Sequence, residues 1–284
     1  MQDSSGTLYI VSTPIGNLDD ISARAISTLR DVSVVAAEDT RHSARLLEQL
    51  GLQKFLLSYH DHNEEGRSAE LLRRLQQGED VALVSDAGTP LVSDPGYRLV
   101  KACRDAGIRI VPIPGASAVL AALVVSGLPS ERFTFAGFAP PKGAAREQFL
   151  RGLVASPVTS ILYEAPHRIV ALLESLVALV EPERPLVLCR ELTKRFETVL
   201  AGNAQQLLEQ VQADSDQQRG EMVLLIGPAA PQVSDDAQLE SLGRLLLEEL
   251  PLSRAARVLA HWSGRKRGDV YKLLEQWSGG ADSD

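Results

Sequence analysis

Apolar positions in the first half of the chain form short β-rich runs separated by stretches of helical period. Leu8–Ser12, Val32–Ala37, Val81–Ser85 and Arg109–Ile113 read as strands, with one more ending at Ser58. Between them the 3.6-residue spacing predicts helices. One is capped by Ser22 and runs to about Asp31, and a second spans about Thr40 to Leu50. Asn63 opens a third that stops at Gly78, and Tyr97–Ala106 is stopped by Gly107. Glycine just past a helix end takes the left-handed backbone that other residues resist. Such alternation predicts a mainly parallel sheet with helices on both faces. Residues 127–142 break the rhythm with Gly127, Pro129 and Pro140-Pro141, and a second α/β unit follows. Its strands are Thr159–Tyr163, Leu186–Cys189, Glu197–Leu200 and Glu221–Ile226; its helices are Arg146–Val154, Arg168–Val180 and Ala204–Val211. After a linker at Gly227–Pro231, Ala237–Trp277 reads as three short helices with helix-turn-helix spacing. The expected organisation is α/β: one domain over 1–127, a second over 128–230 and a small helical module over 237–277. The tail from Gly279 is expected to be disordered.

Composition narrows the class. A chain of 284 residues buries enough apolar surface to need no staples. Its two cysteines, Cys103 and Cys189, stand far apart, which argues against a disulfide framework and for a reducing cytoplasm. Met1–Gly6 lacks the basic-then-apolar pattern of a secretory signal. The longest apolar stretch, Ala116–Val125, is too short to span a membrane. With 29 basic and 37 acidic residues the net charge is −8, which disfavours polyanion binding by the whole surface. Ser241–Trp277 is the exception: seven basic residues against four acids give it +3.

The loops after the strands carry the candidate chemistry. Ser12-Thr13-Pro14-Ile15-Gly16-Asn17 stands where a dinucleotide fold places G-x-G-x-x-G. Pro14 and Ile15 would block a pyrophosphate there, and no P-loop occurs elsewhere. Ser85-Asp86-Ala87-Gly88-Thr89-Pro90 ends a buried strand, where open α/β sheets bind ligands. Asp86 either holds an amine or hydroxyl pair or caps the turn. Pro114-Gly115-Ala116-Ser117-Ala118 permits close backbone approach, with Ser117 a ligand contact or an N-cap. Polar clusters follow further strands: Glu38-Asp39-Thr40-Arg41, Ser58-Tyr59-His60-Asp61-His62, Tyr163-Glu164-Ala165-Pro166-His167-Arg168 and Cys189-Arg190-Glu191-Leu192-Thr193-Lys194. The His60-x-His62 pair lacks a third ligand at zinc spacing, so no metal site is expected. Arg41 and Arg168 read equally well as surface ion-pair partners.

These motifs, in this order from about Leu8 to Gly227, closely resemble the tetrapyrrole methylase superfamily in its ribosomal-RNA-modifying branch. The resemblance implies two class III methyltransferase α/β domains with a cofactor cleft between them, and a homodimer. It implies S-adenosyl-L-methionine as donor and 2′-O-methylation of cytidine 1402 in 16S rRNA of the 30S subunit. By position, it assigns the cofactor to Pro14, Ile15, Val84, Ser85, Asp86, Thr89, Ser117, Ala118, Glu164 and the backbone around Leu200 and Gly202. The first loop departs from the superfamily's usual G-x-G-P-G-D. A ribose hydroxyl must lose a proton on methylation, and Glu38, Asp39 and His60 are the candidate bases. A carboxylate against the sulfonium would favour the ground state, so Asp86 is expected at the amino-acid or ribose end of the donor. A small-molecule methyltransferase of the same fold, or a non-catalytic RNA-binding factor, are the alternatives. The first leaves the basic C-terminal segment unexplained.

Overall fold

A computed structural model of the chain describes residues 5–230 and 236–278; the tail from Gly279 and Pro231 of the linker lie outside them. The first sheet comprises β1 (Thr7–Val11), β2 (Val34–Ala37), β3 (Phe55–Ser58), β4 (Val81–Val84) and β5 (Arg109–Ile113). All of its pairings are parallel, in the order β3-β2-β4-β1-β5. The connecting helices are α1 (Ala23–Asp31), α2 (Thr40–Gln49), α3 (Glu64–Gln76) and α4 (Tyr97–Asp105). Ser22 caps α1 by accepting the Ala25 N–H, as the sequence predicts. Both faces of the sheet are apolar: Leu8, Leu71, Leu75 and Leu99 fill one, and Val11, Leu29, Val35 and Leu47 the other. That is why its strands read as continuous apolar runs rather than alternating ones. From β1 the chain leaves toward β2, and from β4 toward β5. Because β1 and β4 are neighbours, their loops part in opposite directions and open a crevice at the carboxyl ends of the strands.

Helix α5 (Ala118–Ser126) is apolar on every side and ends in Gly127 at a φ of 69°. Val119, Ala122 and Leu123 pack on Ile161, Val187, Val223 and Leu225 of the second sheet. That sheet holds β6 (Phe133–Phe138), β7 (Thr159–Glu164), β8 (Leu186–Arg190), β9 (Thr198–Gly202) and β10 (Met222–Ile226). Its order is β6-β7-β10-β8-β9; only β6 and β7 run parallel. Helices α6 (Gly143–Val154), α7 (Ile169–Val177) and α8 (Ala204–Ala213) cover its other face with Leu150, Leu172, Leu176 and Leu207. The described residues up to Pro228 form one compact unit.

The remainder is a second unit with its own core. Its helices are α9 (Asp236–Glu249), α10 (Leu252–Ser263) and α11 (Arg267–Ser278). Leu239, Ala255, Ala256, Leu259, Val270 and Leu274 are buried between them. Gly243 lets α9 approach α11: a Cβ there would lie 2.7 Å from the Trp277 ring. Gly264, at a φ of 69°, ends α10. Among the described residues no helix is long and apolar enough to cross a membrane.

Candidate active site

Hydroxyl groups stitch three strand-end loops of the first sheet together. Thr13 and Gly88 exchange backbone hydrogen bonds of 2.8 and 3.0 Å, joining the loops after β1 and β4. The Thr13 hydroxyl donates to the Ser85 carbonyl at 3.2 Å. Thr89 shares a 3.0 Å hydrogen bond with Ser12 and donates to the Ala116 carbonyl at 3.1 Å, bringing in the loop after β5. Gly115 is required for this closure, since a Cβ would stand 2.9 Å from that of Ser12.

Above this floor lies a cleft of about 430 Å³, within the range of small-molecule sites. The first sheet contributes Ile15, Glu38, Asp86, Thr89, Val92 and Asp94, and α5 begins it with Ser117 and Ala118. The second sheet contributes Phe138, Tyr163, Glu164, Cys189, Leu192, Glu221, Met222 and Val223. Seven of the residues singled out in the sequence therefore meet here: Ile15, Glu38, Asp86, Thr89, Ser117, Ala118 and Glu164. Ser117 occupies the N-cap position of α5, yet among the described residues its side chain makes no capping bond, and it lines the cleft.

The other residues lie around or away from this space. Val84 and Ser85 are buried beneath it, the Ser85 hydroxyl pointing to the carbonyls of Ala87 and Gly88. Pro14 is half-buried beside Ile15 and outside the lining. Leu200 and Gly202 lie on the edge strand β9, which β8 separates from β10. Asp39 caps α2, accepting the Arg41 N–H at 2.8 Å and pairing with the Arg41 guanidinium at 2.7 Å. Those bonds from Arg41 hold its carboxyl far below the usual carboxylate range. His60 sits beyond the sheet-edge strand β3, its Nε2 3.2 Å from the Asn63 amide.

Glu38 has the opposite environment. Partial burial, then the like charges of Asp94, Asp86 and Asp61, push its carboxyl up to about 7. Asp94 is pushed up to about 6, by burial first and then by Asp86 and Asp61. In the sequence Asp94 stands in the Ser93-Asp94-Pro95-Gly96 continuation of the Asp86 loop, where it carries no assigned role. Asp86 accepts the Asp39 N–H at 3.0 Å, which ties the loop after β4 to that after β2. The Glu164 carboxylate is wholly buried, 2.5 Å from Arg168 and 3.4 Å from Arg146. These two pairs brace the cleft wall. Among the described residues no cluster of His, Cys, Asp and Glu side chains could hold a metal ion.

An apolar wall of Ile15, Val92, Leu192, Met222 and Val223 thus faces a set of carboxylates. That donor set fits a cationic, amphipathic ligand such as S-adenosyl-L-methionine and is poorly suited to a phosphate-rich one.

The model of the tetrapyrrole (corrin/porphyrin) methylases matches residues 7–208, and that of the RsmI C-terminal HTH domain matches residues 233–277. A protein of Pseudomonas aeruginosa named ribosomal RNA small subunit methyltransferase I is 48% identical over 97% of this chain and 99% of its own length. The proteins of that name from Escherichia coli O157:H7 and Xylella fastidiosa are 47% and 50% identical, covering 96% and 94% of this chain and 96% and 98% of their own lengths. Among solved structures, the methyltransferase CobJ superposes with a TM-score of 0.60 at 22% identity, covering 81% of this chain and 98% of its own. The uroporphyrin-III-C-methyltransferase of Thermus thermophilus gives 0.56 at 24%, covering 78% and 94%. At such identities these two establish the fold alone. From its parallel first sheet to its helical C-terminal module, the chain belongs to the tetrapyrrole methylase family, within the group of the ribosomal RNA small subunit methyltransferases I.

Proposed function

We propose that this chain methylates the ribose 2′-hydroxyl of cytidine 1402 in 16S rRNA, with S-adenosyl-L-methionine as donor. It does so in the cytoplasm, on the 30S subunit, as a homodimer. The observation that carries the reading is near-full-length identity of 44–50% to relatives that share one name. The match of residues 233–277 to a module named for the same group favours RNA over a tetrapyrrole as substrate.

Ile15, Asp86, Thr89, Ser117 and Ala118 would hold the donor, with Met222 and Val223 closing over it from the second sheet. When bound, S-adenosyl-L-methionine supplies a methyl group made electrophilic by its sulfonium. The cleft excludes water and fixes the reacting partners in line, which supplies much of the rate. Glu38 is the base that takes the 2′-hydroxyl proton as the oxygen gains its methyl group. A carboxyl titrating near neutrality is suited to that exchange. Asp39, held by Arg41, is too weak a base for the role. Asp94, beside Glu38, keeps that carboxyl basic. The C-terminal module docks the RNA through its basic residues.

The test incubates the protein with methyl-labelled donor and 30S subunits that lack the modification, then digests the RNA to nucleosides. Label in 2′-O-methylcytidine is expected. Label confined to another nucleoside, or to no RNA at all, refutes the reading.

A further inference from the structure

Phe138 is a large aromatic residue on a strand, yet it is 55% exposed and lines the cleft that holds Glu38 and Asp94. Three features put it there. The pairing of β6 with β7 shifts register between Phe135 and Phe138, and irregularities of this kind re-aim side chains beside active sites. Gly137, within that shift, has a φ of 69°, a conformation open to glycine and costly for other residues. The same glycine abuts the Asp94 loop, since a Cβ on it would lie 3.5 Å from the Ser93 hydroxyl. The ring is also braced. It meets Tyr163 edge-on with centroids 5.4 Å apart and planes at 60°, and Tyr163 meets Phe135 in the same way at 4.9 Å and 64°. Held against Tyr163 in this way, the Phe138 side chain still keeps more than half of its surface open and borders the cleft.

We infer that the exposed face of Phe138 is the stacking platform for the base of the target nucleotide. The inference rests on the proposed function and specifies its substrate contact. To carry its 2′-hydroxyl into a cleft lined by Glu38, the target nucleotide swings out of the surrounding stack. The base then loses its neighbours, and an aromatic face restores that contact without regard to sequence. The cytosine ring rests on Phe138 while its ribose points inward to Glu38.

The experiment compares Phe138→Ala, Phe138→Leu and Phe138→Tyr with the unmodified protein. Equilibrium binding to undermodified 30S subunits is measured with the protein saturated by S-adenosylhomocysteine. Single-turnover methylation is measured alongside, and S-adenosylhomocysteine affinity is measured by calorimetry. Loss of one base–aromatic stack weakens binding by roughly tenfold. The Ala and Leu variants should both lose about that much, while Tyr stays within about twofold and cofactor affinity is unchanged in all three. A structural role would spare Leu, which keeps the apolar bulk, so full activity in Phe138→Leu overturns the platform. Loss of S-adenosylhomocysteine affinity in Phe138→Ala also overturns it, because the ring would then serve the cofactor's adenine. If the unmodified protein labels no RNA, the proposed function falls and the platform with it. If it labels RNA and Phe138→Ala matches it, the platform alone falls.

Discussion

Glu38 carries the sharpest quantitative expectation. Its carboxyl is pushed up to about 7 by burial first, then by Asp94, Asp86 and Asp61. Such a group is about one-tenth ionised at pH 6 and about nine-tenths at pH 8. If the ionised form is the base, single-turnover methylation should rise roughly tenfold across that interval and level off above it. Asp94 ranks first among the like charges but behind burial, so Asp94→Asn should lower the apparent value by about half a unit to one unit. The variant's rate at pH 6, relative to its own rate at pH 8, should then climb about three- to fivefold over the unmodified protein. Using that ratio cancels any change in cofactor or substrate binding common to both pH values. Glu38→Gln should lose roughly a hundredfold or more and show no limb near 7. The assay is rapid-quench transfer of labelled methyl to saturating 30S subunits. A flat profile from pH 5.5 to 8.5 in the unmodified protein refutes the reasoning, as does a limb that Asp94→Asn leaves in place.

Four further expectations concern other parts of the molecule. Asp86→Ala should weaken S-adenosyl-L-methionine binding at least about tenfold in calorimetry, the scale of a charge-assisted hydrogen bond; unchanged affinity in a folded variant would remove Asp86 from the site. Glu164→Gln leaves two mostly buried guanidiniums without their carboxylate and should cost about 3 kcal/mol. Circular dichroism is the probe for that variant, because both tryptophans, Trp262 and Trp277, lie in the C-terminal module; a loss under 1 kcal/mol, roughly a surface pair's value, would contradict it. Thr193 holds a φ of 67°, and among the described residues its buried hydroxyl has no partner. Thr193→Gly should therefore stabilise the protein by about 0.5–1 kcal/mol, and a lowered melting temperature would show that the loop needs the side chain. Replacing Arg265, Lys266 and Arg267 together by Ala should weaken 30S binding and flatten its salt dependence while cofactor affinity stays level; an unchanged slope would make the module purely structural.

The first sheet is legible because its signals are local. Ser22, Gly78 and Gly107 mark helix ends where the structure has them, and each strand is built on a short apolar run such as Leu8–Val11 or Val81–Val84. Pairing is different, because it depends on partners far along the chain. Leu200 and Gly202 belong to β9, and it is the pairing of β9 with β8 alone that puts them at the sheet edge. Of the site, Asp86, Thr89, Ser117 and Ala118 stand out because they follow strands directly. Phe138 does not, since its direction is set by a register shift against β7 that no periodicity announces. Glu38 and Asp39 are adjacent and chemically alike. What separates them is that Arg41 reaches one and burial among carboxylates governs the other.

The position of β10 has a consequence for the order in which the chain becomes functional. It is the last strand of the compact unit, yet it takes the centre of the second sheet, between β7 and β8. During synthesis, the β6–β7 pair and the β8–β9 hairpin have no shared hydrogen bonds until residues 222–226 have emerged. Two small strand pairs with open edges must therefore wait for a third element, a non-local closure that slows folding and exposes edges to other chains. Met222 and Val223 are also part of the cleft lining, so the same insertion completes the ligand site. A chain cut short before β10 has the whole first sheet and still no closed cleft. The cleft lining is therefore complete only once the entire compact unit has been made.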